Sequence, residues 1–122
     1  MLIRLPIHII NLIHVFIISS ILVYIGYNQT LADDNSYLAL LIAASFIPIL
    51  VPIPSLENIS GMTAIQIFHY LVILPFLIYV SYMGYVERNL GDASYTTLFI
   101  TGIIVFTYHA IRFLYHTVLA SN

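Results

Sequence analysis

Four stretches of this chain carry no formal charge: residues 5–32, 35–56, 58–86 and 93–111, each about 20 to 30 residues long, the length an α-helix needs to cross a bilayer. Only 7% of all residues are charged and 61% are hydrophobic, whereas a soluble domain carries about 25% charged residues. Polar surface is too scarce to cover a globule in water, so the expected solvent is lipid. A membrane barrel would alternate apolar and polar residues along each strand. These runs are apolar on every side, so the expected fold class is an all-α integral membrane protein with four transmembrane helices. A cleaved leader would show a short apolar core and a small-residue cleavage site. The first stretch is longer and lacks that site, so it is read as a span.

The spans repeat. Asn11-x-x-His14 precedes Tyr24, Gly26-Tyr27 and Asp34-Asn35-Ser36-Tyr37, and Gln66-x-x-His69 precedes Tyr79, Gly84-Tyr85 and Asp92-Ala93-Ser94-Tyr95. The expected architecture is a tandem duplication of a helical hairpin within one membrane domain over 1–122, with repeat 1 at about 6–54 and repeat 2 at about 64–119. The second copy is three residues longer between its histidine and its last tyrosine. Two spans per unit make the copies parallel, related by a pseudo-two-fold axis along the membrane normal.

The expected spans are Pro6–Tyr27, Tyr37 to about Pro52, Ala64–Val86, and Tyr95 to about Leu119. Asp34 or Ser36 is the expected cap of the second. Pro48 should kink that span and Pro52 and Pro54 should end it, while Pro75 falls in the middle of the third. The small residues Ala43-Ala44-Ser45 and Thr101-Gly102 mark points of close helix approach.

Fixed helix directions give each polar residue a depth. The side that holds the termini and Glu57 (side A) also holds Arg4 and Arg112, and the other (side B) holds Asp33, Asp34, Glu87, Arg88 and Asp92. Basic residues favour the cytoplasmic side, so both termini are expected there, in a multi-pass membrane protein. Seven of the ten tyrosines (Tyr24, Tyr27, Tyr37, Tyr79, Tyr82, Tyr85 and Tyr95) fall near side B, as an interfacial aromatic belt would. At about 1.5 Å per residue, His14 lies roughly 12 Å, His69 roughly 8 Å and His109 roughly 15 Å inside from side A. His8 and His116 lie near its surface.

Polar groups inside a bilayer are costly and are candidates for function. Asn11 and Gln66, each three residues before a histidine and on the same helix face, read first as interhelical hydrogen-bonding groups that fix packing. His14, His69 and His109 are also candidate ligands of a haem b, which takes axial imidazoles from facing helices. Without carboxylates nearby, a histidine metal site is not expected. The run Tyr108-His109-x-x-Arg112-x-x-Tyr115-His116 puts His109, Arg112 and His116 on one stripe. With Glu57 on the same side to pair with Arg112, Tyr108, His109, Arg112 and His116 form the expected contact for a protein partner or for lipid. The first copy has no counterpart of this cluster.

Other classes are set aside by what is missing. With no cysteine there are no disulfides, thiolate metal sites or iron–sulfur clusters. A net charge of −2 gives no basic patch for nucleic acid. Ser19, Ser20, Ser45 and Ser81 have no carboxylate partner within the spans, so no enzyme is expected. A potassium filter string and intramembrane acidic rings are absent, which leaves a small oligomeric channel built on Thr96, Thr97, Thr101 and Thr107 as a second alternative to haem binding. The strings Asn28-Gln29-Thr30 and Asn58-Ile59-Ser60 match the glycosylation pattern but lie on opposite sides.

The strings His14-x9-Tyr24-x-Gly26-Tyr27, His69-x9-Tyr79 and Tyr108-His109-x-x-Arg112 resemble short multi-span membrane proteins of nucleocytoplasmic large DNA viruses. The isoleucine- and tyrosine-rich, cysteine-free composition is also similar to products of AT-rich genomes, including mitochondrial ones. The resemblance implies a viral or organellar membrane component and no activity. The leading expectation is therefore a non-catalytic membrane component of an oligomer or larger assembly.

Overall fold

The computed structural model describes residues 5–119, and Arg4 lies outside them. Within them the chain forms four helices and no strand: α1 (Ile7–Leu31), α2 (Asp34–Leu50), α3 (Gly61–Glu87) and α4 (Asp92–Leu119). Helices α1, α3 and α4, with 25, 27 and 28 residues, are long and apolar enough to cross a membrane. Helix α2 is the exception. At 1.5 Å per residue it spans about 25 Å, short of the ~30 Å hydrocarbon core.

Local chemistry sets these ends. Pro6 stands just before α1, where a missing N–H has no intrahelical role. The cap of α2 is Asp33, whose carboxylate accepts from Asn35 N at 3.0 Å, rather than Asp34 or Ser36, so the helix starts earlier than Tyr37. Pro48 cannot donate to the carbonyl four residues back, and α2 breaks at Phe46 before a last turn over Ile47–Leu50. The capping box of Ser60 and Thr63 starts α3 ahead of Ala64. Arg88, in left-handed conformation with φ 60°, ends α3. The loop to α4 is only 88–91, because Asp92 is already helical.

The helices pair α1 with α4 and α2 with α3, each pair antiparallel. Glycine makes this possible. A Cβ on Gly26 would lie 2.5 Å from Phe99 N and 2.7 Å from Tyr95 O, and one on Gly102 would lie 2.7 Å from Val23 Cγ2. The α1 and α4 backbones are therefore in direct contact at two levels, as small residues allow. In the other pair Gly84 gives up its side-chain space to the Tyr37 ring, and Tyr70 donates from its hydroxyl to Val51 O at 2.7 Å, tying α3 to the end of α2. The core between the pairs holds Leu22, Ile25, Tyr37, Leu40, Leu77, Val80, Tyr95 and Leu98.

Tyr37 and Tyr95 are thus corrections to the belt. They are only 3% and 1% exposed, and the Tyr95 hydroxyl accepts from Leu90 N at 3.2 Å instead of meeting water. Tyr24, Tyr27, Tyr79, Tyr82 and Tyr85 remain exposed. Helices α1 and α3 share local form near their histidines. A π-helical turn starts at His14 (His14–Ile18) and another at His69 (His69–Ile73). Leu22 and Leu77, Ile25 and Val80, Tyr37 and Tyr95, Leu40 and Leu98 are all buried.

Candidate functional site

The polar residues of the helices converge where α1 meets α4. Asn11, 0% exposed, accepts through Oδ1 from His109 Nδ1 at 3.0 Å. The His14 ring stacks on that of His109, with centroids 4.1 Å apart and planes 22° from parallel. About two turns along α1 from Asn11, Ser19 is also buried and donates to Val15 O at 2.5 Å. That bond serves the wide turn that begins at His14, where the ladder runs from Ser19 N to His14 O. Such π turns are rare and often mark functional sites. The α3 counterpart runs from Leu74 N to His69 O just ahead of Pro75, whose ring would press on the carbonyl four residues back in a regular helix.

Hydrogen-bond partners set the imidazole tautomers. Carbonyl oxygen can only accept. His14 therefore donates from Nδ1 to Ile10 O at 2.7 Å, and His69 from Nδ1 to Ile65 O at 2.8 Å. His109 does the same toward Asn11. In the neutral rings each Nε2 keeps a lone pair. The His69 ring on α3 instead packs edge-on against Phe68, with centroids 6.3 Å apart. No group of three or more ligand-type residues among the described residues is placed to hold a metal ion. The stack also bears on haem. Axial imidazoles bind end-on to the two faces of the macrocycle, whereas His14 and His109 present ring faces to each other at 4.1 Å and leave no room for a macrocycle between them.

Of the two residues expected as packing groups, Asn11 bonds across helices and Gln66, half-buried, makes no side-chain hydrogen bond. Asn11 keeps one debt. Its Nδ2 is the only buried side-chain nitrogen or oxygen without a partner among the described residues.

The second polar group runs along the outer face of α4. Arg112 donates from Nη1 to the Tyr108 hydroxyl at 3.3 Å and from Nη2 to His116 Nε2 at 3.5 Å, with its guanidinium 5.7 Å from the Tyr108 ring centre. Glu57 does not pair with it. The only ion pair among the described residues is Arg88–Asp34, at 3.2 Å, on the opposite side of the molecule. His109 belongs to the buried cluster rather than to this face, so the expected stripe of Tyr108, His109, Arg112 and His116 divides in two.

Sequence reasoning missed the bond between Asn11 and His109, the π turns and the burial of Tyr37 and Tyr95. A signal for the last was present: Tyr37 and Tyr95 each lie one helical turn past the start of a helix, behind an Asp three residues earlier. Comparison with known proteins finds no matching family model, no matching curated protein and no matching solved structure.

Proposed function

We propose that this chain is a multi-pass membrane protein, built by duplication of a helical hairpin, that acts as a non-catalytic component of an oligomer or larger assembly. The observation that carries the reading is how the polar side chains of the helices are used. Asn11, His14 and His109 bond or stack across α1 and α4, and Ser19 and Ser81 donate to carbonyls of their own helices at 2.5 and 2.7 Å. The contacts of Asn11, His14 and His109 fasten α1 to α4, and the two serine bonds stay within their own helices.

The longest helices are the least covered. Within its most apolar stretch α4 buries 11% and α3 17%, against 33% for α1. Those bare faces suit lipid and partner helices. The shared π turns and shared buried positions of the two halves support the duplication. Two arginines of the sequence, Arg4 and Arg112, fall on side A against Arg88 alone on side B, which favours cytoplasmic termini.

The test is the mass of the protein in a mild detergent or lipid nanodisc, read by light scattering and by cross-linking in the native membrane. A homo-oligomer or a stable larger complex is expected, and a lone monomer in both settings would overturn the assembly reading. A Soret band that persists through purification would replace it with haem binding. Ion flux through liposomes, altered by His109→Ala, would replace it with a channel.

A further inference from the structure

We infer that Tyr108, Arg112 and His116 form a binding site for the phosphate of an anionic glycerophospholipid in the leaflet that holds the termini. This rests on the membrane reading above and adds an occupant for one face of α4.

The argument starts from proton counting. Arginine has donors only. When its Nη1 bonds the Tyr108 hydroxyl and its Nη2 bonds His116 Nε2, both oxygen and nitrogen act as acceptors. The Tyr108 O–H is then free to donate outward. The neutral His116 ring must carry its proton on Nδ1, which is also free. The guanidinium keeps further N–H groups beyond the two it spends. Three donor groups therefore line two turns of one helix around a fixed positive charge, and among the described residues no acidic side chain pairs with it. Planar guanidinium forks suit phosphate oxygens.

The surroundings select the source of the phosphate. Ile104 and Ile111 are exposed on α4 beside Tyr108, an apolar surface against which acyl chains can lie while the headgroup meets Arg112. A free phosphate would gain nothing from that surface. A protein carboxylate would satisfy the charge but not the three spread donors.

The experiment counts lipids retained by the full-length protein in native mass spectrometry, from micelles with equal amounts of phosphatidylglycerol and phosphatidylcholine. Wild type should favour phosphatidylglycerol by about tenfold, because phosphatidylcholine carries the same phosphate beside a quaternary ammonium that the Arg112 charge repels. Arg112→Gln should remove the preference. Arg112→Lys should keep part of it, because the point charge remains and the fork does not. Tyr108→Phe, which removes one outward donor without touching the charge, should weaken it and guards against a misfolded Arg112→Gln. Arg88→Gln should leave it unchanged. An undiminished preference in both Arg112→Gln and Tyr108→Phe overturns the site. So does equal retention of the two lipids by wild type, or a preference abolished by millimolar inorganic phosphate, which would assign the site to free anion. Cross-links from this face to an acidic partner helix, in place of lipid, would assign it to protein. Resistance to alkaline extraction separates the two claims: a protein that washes off membranes fails the membrane reading itself, and one that stays embedded without lipid preference fails only this inference.

Discussion

Replacing Gly26 with alanine tests the pairing of α1 with α4. The new Cβ would meet Phe99 N at 2.5 Å, Tyr95 O at 2.7 Å and Phe99 Cα at 2.8 Å. All three are backbone atoms, so no side chain can swing away. The closest falls about 0.9 Å short of the 3.4 Å at which ordinary contact begins, and a gap of that size forfeits roughly a quarter to a half of each neighbouring dispersion contact. Overpacking of this kind costs about 1–3 kcal/mol, while alanine's better helix propensity returns at most about 1 kcal/mol. The Asn11–His109 bond on the same seam, now 3.0 Å, would be strained as the helices separate. Gly61→Ala is the control, since nothing lies within 4 Å of its Cβ position, and it should be neutral or slightly stabilising. The assay is reversible unfolding by a denaturing detergent, followed by circular dichroism for all three proteins. The opposite signs are the point. If Gly26→Ala is as stable as Gly61→Ala, α1 and α4 do not meet through this glycine and the helix pairing is wrong.

Two further perturbations follow. In a double-mutant cycle, Asn11→Leu alone leaves His109 Nδ1–H without an acceptor and should cost about 1–3 kcal/mol. The pair Asn11→Leu with His109→Leu should recover part of that loss, because it also removes the orphaned His109 N–H; a coupling near zero in the same unfolding assay would mean the bond is not made. Arg88→Gln breaks an exposed ion pair with Asp34 and should change stability by less than about 1 kcal/mol, so a larger loss in that assay would mean that the pair fixes the α2–α3 ends.

Much of the outline was legible residue by residue. Charge-free runs predict the helices because apolarity and length act locally, and Pro52 and Pro54 mark the end of α2 because proline cannot continue a helix. Pro48 announced the break seen at Phe46. The spacing Thr101-Gly102 announced a close approach, and Gly102 makes it. The ends were harder, since Asp33 rather than Asp34 caps α2 and capping depends on which carboxylate the backbone brings within reach of Asn35 N. Tyrosines at the ends of spans look like an interfacial belt by position alone. Tyr37 and Tyr95 leave that belt because Gly84 opens a socket for one ring, and Leu90 N supplies a donor to the hydroxyl of the other. Depth was legible too: His14 and His109, placed near one level by counting residues, do meet.

The sequence by itself determined that the chain is helical and that its polar side chains are few and unevenly placed; it expected four spans, and the structure leaves three helices long and apolar enough to cross a bilayer. The first two follow from composition and period, which each segment carries alone. Only the tertiary structure decided that α1 lies on α4, that Asn11 serves His109 while the Gln66 side chain bonds nothing among the described residues, and that Arg112 turns to its own helix instead of to Glu57. Those outcomes depend on where two backbones can touch. That is governed by glycines far apart in the chain, Gly26 and Gly102, whose missing side chains matter only once the partner helix arrives.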